Sequence, residues 1–461
     1  MISLWDSFTP SRAASTALYG RGESVSVADL LAGSTLEDAL EPLRGASVLI
    51  ATNEQLPTAV ALLELDGVAR RMVLCTPDLT PQQLGEVAKT TQAAAVILDS
   101  TQALDLPAAV TRCVATAQPV AAAIRRRSSE RTEWILLTSG TTGAPKLVVH
   151  TLSSLAGTLP RQPPTAGRLV WSTFYDIRRY GGLQIYLRAM LGGVPLVLSS
   201  PEESTREFFL RAAAAGVTHI SGTPSHWRRA LMSGDAGLLQ PEYVRLSGEV
   251  ADQSILDNLR AAYPHARIAH AFASTEAGVA FEVEDGLAGF PADIINAPRG
   301  SIDLKVQDGT LRIRSSRNAS RYLGGSENVL ASDDGYVDTG DLVEVVEGRY
   351  HFRGRKGGII NVGGLKVYPE EVEAVLNADP RVRMSLVRAR RNPITGAVVV
   401  ADVVLADPGD AADADAGAER IKAELLSACR RQLAAHKVPA VLRFVPALEL
   451  TSGGKLVRPN A

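Results

Sequence analysis

The sequence predicts an α/β protein: a large N-terminal domain of parallel α/β sheets with a small antiparallel β unit attached, followed by a small α+β domain. Three observations carry that prediction. Short Val/Ile/Leu runs alternate with helix-like stretches from about Ser47 to Ser200, and the pattern then resumes as far as Ser274. From about Pro298 the alternation switches to period two around Asp308-Gly309, a hairpin signal. The segment "GRKGG" (Gly354 to Gly358) then sets off the end of the chain, which places a domain boundary between residues 354 and 355.

The elements follow in order. "ASVLIAT", "RMVLCT" and "AAVILD" read as buried strands, separated by the helix candidates "LPTAVALLELDGVAR" and "PQQLGEVAKTTQA". "VPLVLSS", "VTHISG", "YVRLSGE" and "ARIAHAFAS" continue the strands, with helices at "STREFFLRAAAAG" and "DQSILDNLRAAYP" between them. "SIDLKVQDGTLRIRS" and "GYVDTGDLVEVVEGRYHFRG" alternate as antiparallel hairpins. The last unit contains "IINVGGLKVY", the helix "PEEVEAVLNAD", the strands "VRMSLVRARR" and "AVVVADVVLA", the helix "ERIKAELLSACRRQLAA" and "VLRFVPALE". The run "DAADADAG" (Asp410 to Gly417) reads as a solvated loop.

Composition excludes several classes. The formal net charge is −2, so no basic field points to nucleic acid. Cys75, Cys113 and Cys429 are scattered and form no C-x-x-C pair, which argues against a disulfide framework or a zinc cluster. The opening "MISLWDSFTP" lacks a basic segment followed by a long apolar one. No uncharged apolar run reaches the length of a membrane span. A cytoplasmic protein with no membrane partner is the expectation.

One stretch asks for a specific chemistry. In "ILLTSGTTGAPKLVVH" the residues Thr138, Ser139, Gly140, Thr141, Thr142, Gly143 and Lys146 concentrate hydroxyls, glycines and a cation between two strand-like runs. A surface turn is one reading. A phosphate cradle is the other: glycines expose backbone N–H groups, hydroxyls donate, and the lysine supplies charge. It is not a Walker loop, because Leu147 stands where Ser or Thr should follow the lysine. "LSGEVAD", "FASTEAG", "DTGD", "FRGRKGGIINVGGLKVYPEEVE" and "TSGGKLVR" share the same polar, glycine-marked character further along.

In this order and at these separations, the stretches resemble the adenylate-forming superfamily of acyl- and aryl-CoA synthetases, luciferases and peptide-synthetase adenylation domains. Aryl- and acyl-CoA ligases are the nearest members, and the resemblance covers residues 45 to 461. It implies a two-step reaction: a carboxylate attacks the α-phosphate of ATP to give an acyl-adenylate and pyrophosphate, then a thiol takes the acyl group and expels AMP. It assigns the loop from Thr138 to Lys146 to the β- and γ-phosphates, Phe272 to the adenine face and Thr275 to the α-phosphate. Glu276 matches the Mg²⁺ ligand. Gly248 and Glu249 border the adenine pocket, and Ala273 and Ser274 complete the nucleotide motif. Asp341 matches the ribose carboxylate, supported by Arg355. Lys455 matches the catalytic lysine that bridges carboxylate and α-phosphate. The resemblance also implies that residues 355–461 form a mobile lid. Its rotation near Arg355 would exchange Lys455 for the loop holding Gly363 and Gly364, past which a pantetheine arm would run.

Three departures stand out. Gly357 occupies a position where the family commonly has Asp or Lys, which removes a charge-based latch at the hinge. Ala273 replaces a frequent glycine and narrows the acyl pocket. The N-terminal region is short, which questions whether the first sheet is complete.

For the acid, the segment Trp171 to Leu187 and the stretch "ISGTPSHWRR" should build the pocket. Phe174, Tyr175, Tyr180 and His226 would make a flat aromatic slot beside Gly181 and Ala273. Arg179 falls where peptide synthetases carry an aspartate for an α-amino group, so amino-acid activation is disfavoured. An aryl acid such as a hydroxy- or aminobenzoate is the expected substrate, with a medium or long fatty acid second. Free coenzyme A is the expected acceptor and a separate carrier protein the alternative. A nucleotide-binding regulator that keeps the fold is the non-enzymatic reading. The oligomeric state, a homodimer included, stays open.

Overall fold

Two large sheets form the bulk of the N-terminal part. In the first, seven strands run in the order Arg321–Leu323, Lys146–Thr151, Glu133–Thr138, Arg71–Leu74, Ser47–Ile50, Ala95–Leu98, Thr111–Val114. The last five are mutually parallel, and the central Ser47–Ile50 is buried along its whole length, which is why it reads as an unbroken apolar run. Arg321–Leu323 closes the sheet by pairing antiparallel with Lys146–Thr151. One edge of this sheet is therefore supplied from far down the chain rather than by the N-terminal region.

The second sheet has eight strands, in the order Gly278–Val283, Arg267–Ser274, Tyr243–Ser247, His219–Gly222, Trp171–Thr173, Leu196–Leu198, Ala17–Tyr19, Ser24–Ser26. Its last two strands come from the first 26 residues of the chain, with Leu18 paired to Leu196. The helix Gln55–Leu65 is buried at every position, and the helix Tyr180–Gly192 at nearly all. Both helices contribute to one core with the inner faces of the two sheets: Val60, Leu62, Leu183 and Leu187 share it with Val48, Leu74, Leu196 and Leu198. The computed structural model describes residues 3–36, 39–100, 106, 109–115, 118–121, 126–138, 145–157, 159, 168–296, 300, 302–324, 330–393, 395–406, 414–451 and 454–457.

A five-stranded sheet follows, in the order Phe290–Pro291, Arg349–Arg355, Val337–Val346, Thr310–Ser315, Ile302–Gln307. Its two hairpins turn at Asp308-Gly309 (φ +54° and +75°) and Glu347-Gly348 (φ +48° and +79°). Both central residues are left-handed, the geometry that matches the twist of the flanking strands. The boundary expected at residues 354 and 355 falls at the end of the strand Arg349–Arg355, and Lys356–Gly358 continue as a short 3-10 turn. A Cβ on Gly357 or Gly358 would meet nothing within 4 Å.

The C-terminal part packs the helices Pro369–Asn377 and Ala414–Gln432 on a three-stranded sheet, Val382–Asn392, Gly396–Leu405 and Val441–Phe444. Val372, Leu376, Val399, Ile421 and Leu425 are at its core. One expectation fails here. The loop read over Asp410 to Gly417 is helical from Ala414 onward. Alanine has the highest helix propensity, and an aspartate near a helix start is favoured by the helix dipole, so the run extends the helix.

Candidate active site

The last described residues fold back onto the N-terminal part. Thr451 N donates to the Lys455 carbonyl at 2.7 Å and Lys455 N donates to Thr451 Oγ1 at 3.1 Å, closing a tight loop. That loop rests on the start of the helix Pro224–Met232 and on the turn after the strand Tyr243–Ser247. Thr223 Oγ1 donates to the carbonyl of Gly454 at 2.7 Å, and the N–H of Leu456 donates to Glu249 Oε1 at 3.0 Å. Gly248, at φ +87°, leaves room for the lysine stem: a Cβ there would lie 3.2 Å from Lys455 Cε. Lys455 is thus held in a crowded cleft while its own side chain stays open to solvent. Desolvation by the protein atoms crowded around it lowers its pKa, with Arg355 and Arg179 pushing the same way and Glu249 and Asp341 opposing.

Asp341 lies beside it. Its Oδ1 accepts from Arg355 Nε at 3.2 Å, and its backbone N–H is held by Thr339 Oγ1 at 3.1 Å. The other oxygen, Oδ2, is buried and has no partner among the described residues. Burial raises the Asp341 pKa against the pull of Arg355. A cleft of about 430 Å³ opens next to these residues, lined by Lys146, Ser274, Glu276, Tyr322, Thr339 and Arg355. Lys146 Nζ stands 5.5 Å from the centre of the Tyr322 ring, whose hydroxyl is 3.5 Å from Glu276 Oε1. Thr138 and Lys146 face each other directly across the hairpin, so the strands pin both ends of the glycine-rich loop at the cleft. Ser139, Gly140, Thr141, Thr142 and Gly143 lie outside the described residues.

The "FASTEAG" stretch ends the strand Arg267–Ser274, with a register shift between Phe272 and Ala273. Phe272 is half-buried in a stack with Phe352 (5.1 Å, 10°) and Phe281 (5.8 Å, 20°). Ser274 Oγ accepts from Ala277 N at 3.0 Å and shapes the turn carrying Thr275 and Glu276. Behind that turn sits a residue the sequence reading passed over. His150 is fully buried, with Nε2 2.7 Å from the Thr275 carbonyl and Nδ1 3.0 Å from Ser154 Oγ. Burial pushes its pKa down to about 4, so the ring is neutral and Nε2–H is the donor to that carbonyl.

On the acyl side, Phe174 stacks on His226 at 5.4 Å and 13°. The hydroxyl of Tyr175 is committed elsewhere: it donates to the Ser247 carbonyl at 2.7 Å and accepts from Ser247 N at 3.1 Å. Tyr175 therefore offers ring surface rather than a free donor. Tyr180 is buried at the start of its helix, 5.8 Å from the His150 ring, and a Cβ on Gly181 would sit 3.6 Å from Tyr175. Arg179 precedes that helix at its N-cap position, without a side-chain capping bond, and forms a salt bridge with Asp78 at 2.8 Å. The neighbouring Arg178, 1% exposed, grips Asp176 at 2.8 Å and the carbonyl of Thr52, which bolts the acyl segment to the first sheet. Gly363 and Gly364 form the two-residue turn of a hairpin at φ +57° and +86°, and a Cβ on Gly364 would meet nothing within 4 Å.

The family model for the AMP-binding enzyme matches residues 43–318, and that for the AMP-binding enzyme C-terminal domain matches residues 371–455. The chain belongs to the AMP-binding enzyme family. Among curated relatives, this AMP-binding enzyme is 29% identical over 371 residues to the 2-succinylbenzoate–CoA ligase of Salmonella typhimurium, covering 78% of this chain and 76% of the relative. The ligase of the same name from Geobacillus kaustophilus is 28% identical, with coverages of 71% and 68%. Among solved structures, the anthranilate–CoA ligase AuaEII in complex with anthranoyl-AMP superposes with a TM-score of 0.80 at 18% identity, covering 99% of this chain and 95% of that one. A variant of E. coli MenE with bound OSB-AMS gives 0.78 at 21%, covering 96% and 95%.

The residues present fit the nucleotide and metal that such an enzyme uses. The unpartnered, buried Asp341 Oδ2 is an acceptor waiting for a donor, which suits ribose hydroxyls. Among the described residues no group of three or more acidic, His or Cys side chains gathers into a metal site. Glu276 and Asp338 are the carboxylates that line the cleft with Lys146. That set suits Mg²⁺ arriving with phosphate oxygens, since Mg²⁺ takes one or two carboxylates plus substrate oxygens. No helix among the described residues is long and apolar enough to cross a membrane.

Proposed function

We propose that the protein activates an aryl carboxylic acid with ATP and transfers it to the thiol of coenzyme A. The observation that carries this reading is the position of Lys455, brought from the end of the chain to Gly248 and within electrostatic reach of Asp341 and Arg355. In the first step a carboxylate oxygen bonds to the α-phosphorus and the bond to pyrophosphate breaks. Lys455 would neutralise charge on both partners, Lys146 and the glycine-rich loop would hold the departing phosphates, and Asp341 would fix the ribose. Glu276 would hold the Mg²⁺ that offsets the charge of the phosphates. In the second step the thiol sulfur bonds to the acyl carbon, AMP departs, and the thiol proton passes to solvent. Preorganised charge in a partly dry cleft is the main source of rate in such chemistry. The division at residues 354 and 355 serves as the hinge in this scheme, and the turn Gly363–Gly364 as the thiol path.

A second anionic group on the acid is favoured by the side chains below the pocket mouth. Arg245 lies on the same sheet face as Ser247, two residues and so roughly 7 Å deeper along the strand. It is 2% exposed and bonded to Glu282 at 2.8 Å. Arg317 donates to the Val279 carbonyl at 2.7 Å, and Arg188, whose buried Nε has no partner among the described residues, feels both arginines. Arg245 and Arg188 thus share Glu282 as a close carboxylate, and buried cations call for counter-charge. The relatives named for 2-succinylbenzoate, an acid with two carboxylates, fit that chemistry.

ATP–pyrophosphate exchange against a panel of benzoates, aromatic diacids, octanoate and amino acids tests the reading. Aromatic acids should lead, AMP should be the nucleotide product, and coenzyme A should yield the thioester. ADP as product, or preference for octanoate, would sink it.

A further inference from the structure

We propose that Thr223 and Glu249 form a two-point dock for the catalytic lysine, holding the backbone immediately before and after Lys455. The hydroxyl of Thr223 takes the carbonyl of residue 454 at 2.7 Å, and the carboxylate of Glu249 takes the N–H of residue 456 at 3.0 Å. A donor and an acceptor thus pin the two peptide groups flanking Lys455, which leaves its side chain little choice of direction. The dock is itself braced. Glu249 uses its second oxygen to accept from Ser225 N at 3.0 Å, and Thr223 Oγ1 also accepts from His226 N at 3.0 Å as the helix cap. Both residues therefore lie on the first turn of the helix Pro224–Met232 or are bonded to it, so the loop is referenced to a rigid element. Glu249 has a second effect, because its charge supports the protonated form of Lys455 against Arg355 and Arg179, alongside Asp341.

This makes Thr223 and Glu249 positioning residues for adenylation and not for thiol transfer. When the C-terminal domain swings away, Leu456 leaves Glu249, while the bond to Ser225 stays. The inference rests on the ligase reading, but one arm of its test does not. Trypsin must extend the backbone around Lys455 to cleave after it, and a backbone pinned on both sides resists. Thr223→Val and Glu249→Ala should each speed release of residues 456–461 several-fold, read by mass spectrometry, with thermal midpoints close to wild type.

The second arm is single-turnover kinetics of each half-reaction. Loss of a hydrogen bond to a charged or strongly polar partner should slow adenylation by roughly 10–100-fold. In Thr223→Val, thiol transfer from chemically supplied acyl-adenylate should stay within about 2-fold of wild type, and Thr223→Ser should restore adenylation. Glu249→Gln should move the alkaline limb of the adenylation profile to lower pH, since Lys455 loses a supporting charge. Unchanged trypsin cleavage in both variants, or equal loss of both half-reactions in Thr223→Val with folding intact, would overturn the dock. Faster cleavage in protein that activates no acid at all would uphold the dock and remove the ligase reading.

Discussion

Gly454 packs against the imidazole of His226 so closely that a β-carbon added to Gly454 would overlap the ring. Gly454 is also at φ +68°, where side chains are strained. Gly454→Ala should therefore prevent the lysine loop from seating while leaving the rest of the fold intact. Adenylation should fall by at least about 10-fold, since a misplaced donor forfeits much of its effect on the developing charge. Thiol transfer from a supplied acyl-adenylate should continue. Full adenylation by the alanine variant would show that the loop seats elsewhere.

Lys455→Ala should cost adenylation roughly 10²–10³-fold by removing that donor altogether. Gly364→Trp should have the opposite profile. The Trp side chain has open space around its Cβ here, though φ +86° strains the turn, and the indole would lie in the thiol path once the domain has swung. Half-reaction kinetics of the pair separate the two states, and parallel losses would argue against domain alternation.

Asp341→Asn should trade binding for stability. The buried carboxylate oxygen, without a partner among the described residues, costs free energy in the ligand-free protein, and burial raises the Asp341 pKa. Removing the charge should raise the thermal midpoint of the ligand-free protein while weakening ATP binding by roughly 10-fold or more. Differential scanning fluorimetry with and without ATP reads both, and a lower ligand-free midpoint would contradict the argument.

Buried histidines should set an acid limit on stability. Burial lowers His150 to about 4 and His226 to about 3, while both titrate near 6.5 once unfolded. Between those values the unfolded chain binds more protons, so stability falls as pH drops from about 6.5 toward 4, by up to about 1.4 kcal/mol per pH unit for each ring. His226→Gln should flatten the dependence of the thermal midpoint on pH over that window. An unchanged slope would assign the limit to other groups.

The sequence made the strands of both large sheets legible where they were long and apolar, and its glycine-marked motifs contain Lys146 and Glu276, which line one cleft. It did not reveal Ala17–Tyr19 and Ser24–Ser26, because three residues are too few to display a period. Arg178 and Arg179 are adjacent in sequence, yet the ion pair of Arg178 with Asp176 is buried and that of Arg179 with Asp78 is partly exposed. The hold of Thr223 and Glu249 on the lysine loop escaped for a different reason. Their partners are backbone atoms 231 and 207 residues away, and a backbone atom is written the same under every letter.

The pairing of Leu18 with Leu196 also bears on how the molecule comes into being. A ribosome adding about 5–20 residues per second would need on the order of ten to forty seconds between these two leucines. The other large sheet is finished later in synthesis, since Val149 finds Arg321 only after most of the chain has emerged. Neither sheet can be finished from the N-terminal side alone. Nascent chains stalled before residue 321 should therefore expose an open strand edge and bind chaperones, whereas those released beyond it should resist proteolysis.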